Sequence, residues 1–274
     1  MEPSGVDATR IGLPVHLKSA GSQPANLSLI DAVRAGRVQI PRTHRAQKAF
    51  FRLLRKAAQD PKFGEQVQRF RDAVVLSALR DNPGARGLTI AFTGPRGGEG
   101  SSLVSLMLGL SLGECAMRSV AHFDGRFNAQ RFDVLADVLG LSKNAVNLQK
   151  GFSEIAGYYN ERFQNVYFLH NISPERSMSF FSDKRLQVFL DEVRSRFDFT
   201  ILDLPPLLRE TASMFALAHV DRLYLVVEAG KTRLSDVERC MQVAEQAGRA
   251  LSGVVINRQR APWWARFFWR EFFF

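Results

Sequence analysis

Short apolar runs that alternate with helical segments constrain the fold of this chain more than any other feature of its sequence. Runs rich in β-branched and aromatic residues occur at LTIAFTG, SVAHFD, NVYFLH, FTILDLPP, RLYLVVEAG and LSGVVINR. Between them lie segments with helical periodicity, such as SLVSLMLGLSLGECA and LSDVERCMQVAEQAG. Because parallel strands need crossover connections, this alternation predicts an α/β fold: a mostly parallel sheet of about seven strands with helices on both faces.

The same pattern divides the chain into four predicted segments. Residues 1–27 are polar, contain Pro and Gly and lack periodicity, which is typical of a flexible leader. Residues 28–84 are predicted to form an N-terminal helical extension, with an amphipathic helix at about 64–80. The α/β domain is predicted to span 85–258, and an aromatic tail follows at 259–274.

Composition excludes several classes of protein. The two cysteines of the 274-residue chain are too few for a disulfide framework and too far apart for a zinc site. No run reaches the roughly 18 to 20 apolar residues of a transmembrane helix, and no signal-peptide pattern begins the chain, so a cytoplasmic protein is expected. The net charge of +10 suits nucleic acid, an anionic membrane face or solubility alone. Nucleic acid is not the expected partner, because no zinc-finger or RNA-recognition signature occurs.

The Gly-rich loop after the first strand is the leading candidate for a ligand site. Ligands of open parallel sheets bind beyond the carboxyl ends of the strands, and GPRGGEGSS joins the first strand to a helix there. Gly97, Gly98 and Gly100 allow backbone N–H groups to turn towards an anion. A phosphate loop usually ends in Gly-Lys-Ser/Thr, but Ser101 stands where the lysine is expected and Ser102 supplies the hydroxyl. A tight turn without a ligand is the alternative.

Two carboxylates are predicted to lie beside this loop. Asp124 ends SVAHFD and Asp203 ends FTILD, so both emerge at the same edge of the sheet. Mg²⁺ prefers one or two carboxylates, a hydroxyl and phosphate oxygens, and Ser102, Asp124 and Asp203 are the predicted set. An Asp after a strand is also common as a helix cap, which is the alternative for either carboxylate.

The series GGEGSS, HFD, ILDLPP, VVEAGKT and GVVIN resembles that of the MinD- and ParA-related deviant P-loop ATPases. More closely, it resembles the cytoplasmic domain of the bacterial tyrosine kinases of exopolysaccharide synthesis, over about 45–274. The resemblance implies ATP or ADP with Mg²⁺ as cofactors and Arg52 and Arg55 as contacts in a homo-oligomer. It implies a nucleotide site formed by Gly97, Gly98, Glu99, Gly100, Ser101, Ser102 and Asn257. Asn257 matches the position that recognises adenine, and a residue that closes a turn is the alternative.

The departures from the family pattern indicate lost catalysis. Ser101 replaces the lysine, and Arg126 stands in place of the second acidic residue of the DAD-like motif. Because of these losses, no residue is assigned to catalysis. Arg96 and Asp124 are the candidates if catalysis remains. Arg96 aligns with the signature lysine of MinD-like loops. The alternative is that Arg96 has no role in catalysis and its side chain points to solvent.

The C-terminal tail is rich in bulky aromatic residues, as the family's Tyr-rich tail is, but it contains no tyrosine. Tyrosines occur at Tyr158 and Tyr159, but these are expected to pack in a helix or loop. The tail concentrates eight aromatic residues that are predicted to dock on a partner or a membrane: Trp263, Trp264, Phe267, Phe268, Trp269, Phe272, Phe273 and Phe274. Docking on its own domain or a neighbouring subunit is the alternative.

The leading hypothesis is a catalytically degenerate, kinase-like scaffold or regulator of exopolysaccharide polymerisation and export. The resemblance implies a membrane-spanning polysaccharide copolymerase as partner and a cytoplasmic location at the inner membrane. One alternative is an active ATPase or tyrosine kinase in which Arg96 or a partner residue replaces the lysine. Another is a MinD/ParA-like positioning protein that binds membrane or DNA.

Overall fold

A computed structural model describes residues 61–81, 87–114, 118–126, 129–144, 152, 155–163, 165–171, 180–181 and 184–258. The strands are β1 (Leu88–Thr93), β2 (Val120–Asp124), β3 (Ser142–Asn144), β4 (Ile155–Tyr159), β5 (Val166–Asn171), β6 (Phe199–Asp203), β7 (Arg222–Glu228) and β8 (Gly253–Asn257). The helices are α1 (Pro61–Asp81), α2 (Ser101–Glu114), α3 (Ala129–Leu139), α4 (Lys184–Arg196), α5 (Ala212–Leu217) and α6 (Leu234–Gln246). The leader, Arg52, Arg55 and the aromatic tail lie outside the described residues.

The eight strands form one sheet in the order β3-β4-β5-β2-β6-β1-β7-β8. Every pair from β5 to β8 across the sheet is parallel, whereas β3 pairs with β4 and β4 with β5 in antiparallel fashion. The predicted α/β class and the mostly parallel sheet are therefore confirmed. The described sheet has eight strands against the expected seven or so, because β3 and β4 extend it beyond β5.

Strand β4 corrects the interpretation of Tyr158 and Tyr159. Both residues belong to a strand and not to a helix or loop, since Tyr158 is the register partner of Phe168 in β5. The Tyr158 ring packs 4.8 Å from Phe132, and the Tyr159 ring stacks 5.1 Å from Tyr167. Packing was expected for both side chains and occurs, but it occurs on a pleated sheet.

The two faces of the sheet carry separate apolar layers because side chains alternate along each strand. Ile90 and Phe92 of β1 pack with the cluster that includes residues of α1, α2 and α3. Ala91 of the same strand packs with the cluster that includes residues of α4, α5 and α6. Burial of a large apolar side chain stabilises the fold by about 1.5–3 kcal/mol, so both layers contribute substantially.

Helix α2 runs directly behind the Gly-rich loop and is buried along most of its length. Its interior position explains why it is apolar all round and has no polar face. Gly113 permits its close approach to the sheet, because a Cβ at this position would clash with the Val166 side chain. This close approach lies in the last turn of α2, beside the start of β5.

No helix within the described ranges combines the length and the apolar content needed to cross a membrane.

Candidate functional site

The Gly-rich loop connects the end of β1 at Thr93 to the start of α2 at Ser101. Gly97, Gly98 and Gly100 have φ angles of +94°, +95° and +96°, which side chains of L residues rarely adopt. The first turn of α2 closes on the loop, since the N–H groups of Leu103 and Val104 donate to the Gly100 carbonyl at 3.0 and 3.1 Å. The backbone thus has the strand–loop–helix arrangement in which N–H groups gather at a helix N-terminus.

Side chains on both sides hold this loop in place. Glu99 is buried, and its Oε1 accepts a hydrogen bond from the Arg96 N–H at 2.9 Å. Asn257, at the end of β8, donates its Nδ2 to the Glu99 carbonyl at 2.7 Å and accepts the Arg258 N–H at 2.8 Å. Any Cβ on Gly100 would collide with the Asn257 amide. Asn257 therefore holds the loop in this arrangement, and its role in adenine recognition stays a prediction.

The two expected carboxylates lie side by side. Asp124 and Asp203 end neighbouring parallel strands and are register partners, and both are buried. Asp124 accepts the Arg126 N–H at 3.1 Å. Its second oxygen is 3.2 Å from Nδ1 of buried His170, an ion-pair distance without hydrogen-bond alignment, and the His170 ring stacks on Phe132 at 4.3 Å.

Arg126 is the residue that connects this carboxylate pair to the Gly-rich loop. Its Nε lies 3.2 Å from Oδ2 and 3.3 Å from Oδ1 of Asp203, and its NH2 group donates to Ser101 Oγ. The Arg126 side chain is 13% exposed and that of Asp203 is 5% exposed. A guanidinium therefore occupies the space between Ser101, where a lysine is expected, and a predicted metal ligand.

Sequence reasoning noted Arg126 only as a lost acidic residue and did not assign it to the site. A comparison of the two substitutions could have identified it, because a positive charge is absent at residue 101 and a positive charge is present at residue 126. Its position depends on the turn at Gly125, whose N–H donates to the Asp203 carbonyl at 3.0 Å. This contact brings residue 126 against the end of β6.

The side chains around Asp203 do not fit Mg²⁺ in this arrangement. Two like unit charges 4 Å apart repel by about 4 kcal/mol at an effective dielectric constant of 20, and Mg²⁺ would double that against Arg126. Asp203 already pairs with the guanidinium, and Asp124 already accepts a backbone N–H. In the part of the chain that the structure describes, no group of three or more His, Cys, Asp or Glu is arranged to hold a metal.

Arg96 is engaged by α6 and not by Ser101. Its Nε and NH2 donate to Oδ2 and Oδ1 of Asp236, both at 2.8 Å, in a bidentate pair. The hydrogen bond from Arg96 lowers the pKa of Asp236 and, reciprocally, the bond to Asp236 raises the pKa of Arg96. The Asp236 side chain is 7% exposed and that of Arg96 is 49% exposed, so the pair ties a loop residue to a mostly buried carboxylate.

A second charged cluster lies beside Asn257, at the end of β7. Glu228 is the register partner of Asn257, and its carboxylate pairs with Lys231 at 3.1 Å and Arg258 at 2.9 Å. The hydrogen bond from Lys231 is the main cause of the lowered pKa of Glu228. Sequence reasoning did not single out these residues, because nothing local shows that VVEAGKT and the end of GVVIN meet.

Comparison with curated proteins finds distant relatives. No protein-family profile matches the chain. It is 27% identical over 175 residues to an uncharacterized ATP-binding protein of Methanocaldococcus jannaschii, a match that covers 62% of this chain and 64% of that protein. It is 25% identical over 191 residues to the tyrosine-protein kinase CpsD of Streptococcus agalactiae serotype III, covering 67% and 81%. The match therefore spans less than two thirds of the archaeal relative.

Solved structures give the same picture for the fold. The kinase domain of VpsO superposes with a TM-score of 0.56 and 22% identity, covering 73% of this chain and 98% of that domain. The BceF tyrosine kinase domain gives 0.58 and 19%, covering 81% and 94%, and the kinase domain of Escherichia coli ETK gives 0.55 and 17%, covering 72% and 78%. The chain therefore has the α/β fold of bacterial tyrosine-kinase domains. The expected resemblance is confirmed for the fold, and the loss of catalysis stays a prediction.

Proposed function

We propose that this chain is a catalytically degenerate, kinase-like P-loop protein that binds a nucleotide and acts as a scaffold or regulator of exopolysaccharide polymerisation and export. The observation that carries the proposal is the pairing of Arg126 with both Ser101 and Asp203 at the edge of an otherwise well-formed loop. The loop geometry suits phosphate binding, whereas the guanidinium stands among the groups that a metal would need.

The balance between binding and catalysis follows from the chemistry of phosphoryl transfer. Transfer depends on cations that are positioned around the terminal phosphate, commonly a lysine together with Mg²⁺. Loss of one preorganised electrostatic group of this kind costs on the order of 10² to 10³ in rate. Binding is less sensitive, because the backbone N–H groups of the loop and the N-terminus of α2 hold much of the phosphate charge.

The biological setting is proposed from the relatives. CpsD is named a tyrosine-protein kinase, and VpsO, BceF and ETK are represented by their kinase domains. Proteins of this kind work with a membrane-spanning polysaccharide copolymerase, so we propose such a partner at the cytoplasmic face of the inner membrane. In this proposal the aromatic tail supplies docking on the partner or membrane, and Arg52 and Arg55 supply contacts between copies.

The test compares nucleotide binding with nucleotide turnover in the full-length chain. ATP binding is measured by calorimetry, and phosphate release and tyrosine phosphorylation are measured with Mg²⁺ alongside an active relative such as CpsD. We expect binding, with turnover lower than that of the active relative by about 10² or more.

The matched variants are Asp203→Ala in the site and Asp191→Ala on the surface of α4, where the side chain is 61% exposed. The chain would be an enzyme if the wild type turned over ATP at the rate of the active relative, if Asp203→Ala abolished this turnover, and if Asp191→Ala retained it. Absence of nucleotide binding would remove the proposal altogether.

A further inference from the structure

We infer that Arg126 takes the place of both the missing loop lysine and the divalent metal, so that the loop binds the terminal phosphates of a nucleoside di- or triphosphate without a metal ion. The inference rests on the proposed nucleotide-binding function and adds to it the source of the positive charge. It follows from the two residues that the Arg126 side chain contacts and from the poor fit of Mg²⁺ among the same groups.

The position of the guanidinium is fixed by contacts on two elements. NH2 donates to Ser101 Oγ at the first residue of α2, and Nε pairs with Asp203 at the end of β6. The backbone N–H of the same residue is bound to Asp124 at 3.1 Å. A largely buried arginine, 13% exposed, with its backbone and side chain both held in this way is preorganised, so little conformational entropy is lost when an anion arrives.

The guanidinium has the donors that a phosphate needs. Arginine carries five N–H groups in a planar fork that matches phosphate oxygens. Toward the residues that the structure describes, Arg126 donates through Nε and NH2, which leaves NH1 without a hydrogen bond to that part of the chain. Lysine would offer a single point charge from α2, whereas Arg126 offers a directional donor set from the turn after β2.

Both carboxylates of the predicted magnesium set are already engaged in this arrangement. Arg126 pairs with Asp203, and Asp124 accepts the Arg126 N–H and lies beside His170. Neither carboxylate is therefore presented to a cation in the way that a magnesium site requires. Compared with the family pattern, the cation beside the loop comes from residue 126 and not from residue 101. The arginine at 126 also removes an acidic residue from the site.

The experiment titrates ADP and ATP into the full-length chain in the presence of excess MgCl₂ or excess EDTA. We expect the same Kd for each nucleotide in both buffers. Arg126→Gln should weaken binding in EDTA by about tenfold to a hundredfold, the contribution of one or two charged hydrogen bonds. Arg126→Lys keeps the charge and should retain part of the affinity in EDTA.

Two further proteins complete the design. The double variant Ser101→Lys with Arg126→Asp restores the arrangement of a metal-dependent loop, and its affinity should rise when MgCl₂ replaces EDTA. Arg118→Gln is the matched control, because Arg118 is 46% exposed, pairs with Asp198 and lies at the opposite end of β2. Thermal melting by circular dichroism identifies any variant that fails to fold, and the wild-type comparison of the two buffers does not depend on any variant.

Each outcome decides the inference. Wild-type binding that needs MgCl₂ would overturn it and leave the proposed nucleotide-binding function standing. Binding by Arg126→Gln but not by the wild type would overturn both the inference and the proposed nucleotide binding, because Arg126 would then block the loop. Absence of binding by the wild type and by every variant would remove both the inference and the proposed function.

Discussion

At the scale of single residues, the candidate site is held by partners that are far apart in sequence. Asn257 binds the Glu99 carbonyl across 158 positions, and Arg126 binds Asp203 across 77 positions. These contacts cross from one strand end to another, so each residue stabilises the sheet edge and shapes the loop at once. Substitutions here are expected to affect stability and binding together.

Gly100→Ala is expected to destabilise the protein more than Gly98→Ala. The two glycines have nearly equal φ angles of +96° and +95°, so each alanine incurs a similar backbone cost of about 1–2 kcal/mol. Only at Gly100 does a Cβ meet the Asn257 amide, whereas nothing lies within 4 Å of a Cβ at Gly98. Displacement of Asn257 breaks its bond to Glu99 and should cost about 1 kcal/mol more.

Urea unfolding monitored by circular dichroism measures both free energies of unfolding. The Gly98 variant is the matched control, because Gly98 lies in the same loop and has nearly the same φ angle. Equal losses in the two variants would show that Asn257 does not brace the loop.

His122 is expected to make the stability of the protein depend on pH below neutrality. Burial is the main cause that lowers its pKa below 6.5, and its Nε2 lies 3.2 Å from Ser105 Oγ. At pH values between the pKa of His122 in the folded protein and 6.5, the unfolded chain binds more protons than the folded protein, so a fall in pH favours unfolding. The stability from the neutral imidazole is complete above pH 6.5 and is lost as the pH falls towards the folded pKa.

The measurement is urea unfolding of the wild type and of His122→Gln between about pH 7.5 and about pH 5.5, above the range in which carboxylates dominate. Gln keeps a hydrogen-bonding group near Ser105 and does not titrate. The variant should therefore lose less stability than the wild type over this range. Parallel profiles for the two proteins would assign the pH dependence to other groups.

At the scale of elements, six strands were visible in the sequence because each is a continuous apolar run bounded by turn residues. Strands β3 and β4 were not visible. Ser142–Asn144 is only three polar residues, and Gly157 interrupts the apolar pattern of Ile155–Tyr159. Their strand conformation depends on pairing of β4 with β5 and of β3 with β4, which is a tertiary effect that local propensity does not encode.

The same distinction applies to the candidate site. The meeting of Asp124 and Asp203 was predictable, because carboxyl ends of parallel strands share one edge. The contact from Arg126 to Ser101 was not, because it depends on the turn at Gly125 and on the direction of one long side chain. Sequence spacing therefore predicted the residues at the ends of strands and missed the cation that connects them.

Helix α1 is expected to belong to the folding unit of the α/β domain, although the sequence placed it in an extension. Phe70 packs edge-on against Phe92 at 6.1 Å and Tyr224 at 5.3 Å. Phe70→Ala should lower the free energy of unfolding by about 2–4 kcal/mol, somewhat less than for a fully buried Phe. Leu76→Ala is the control on the same helix, because Leu76 is 62% exposed, and it should change stability by less than about 0.5 kcal/mol.

Chemical denaturation with a fluorescence probe and a circular dichroism probe provides the measurement. A single transition that shifts for Phe70→Ala on both probes supports one cooperative unit. If the two variants behave alike, or if α1 melts in a separate step, the helix lies outside the domain core and the boundary at 85 holds.

At the scale of the whole molecule, the chain is positively charged and its tryptophans are concentrated at the C-terminal end of the sequence. The chain has a net charge of +10, and all three of its tryptophans lie in the last twelve residues. Among the described residues, Val254 and Ile256 of edge strand β8 are 46% and 60% exposed, and the tail follows this strand in sequence. Two docking surfaces for the tail are therefore compared: the exposed edge strand of its own domain, and a membrane or partner.

Deletion of 263–274 is expected to separate these two alternatives. If the tail docks outside the domain, its loss should release the protein from anionic vesicles or from a membrane partner and leave the thermal midpoint of the isolated protein unchanged. If the tail covers β8, the deletion should lower that midpoint, because each large apolar side chain returned to water costs about 1.5–3 kcal/mol. Vesicle co-sedimentation, pull-down and thermal melting on the same preparations measure both effects.

Two full-length variants separate the contribution of the rings from that of the charges. One replaces the three tail tryptophans with alanine (Trp263, Trp264 and Trp269), and the other replaces the three nearby arginines with glutamine (Arg260, Arg266 and Arg270). Interfacial docking by the rings predicts release of the first variant at every salt concentration, because apolar burial is not screened. The second variant should lose only the salt-sensitive part of binding.

Unchanged sedimentation and pull-down after deletion of 263–274, with a lowered melting midpoint, would assign the tail to its own domain.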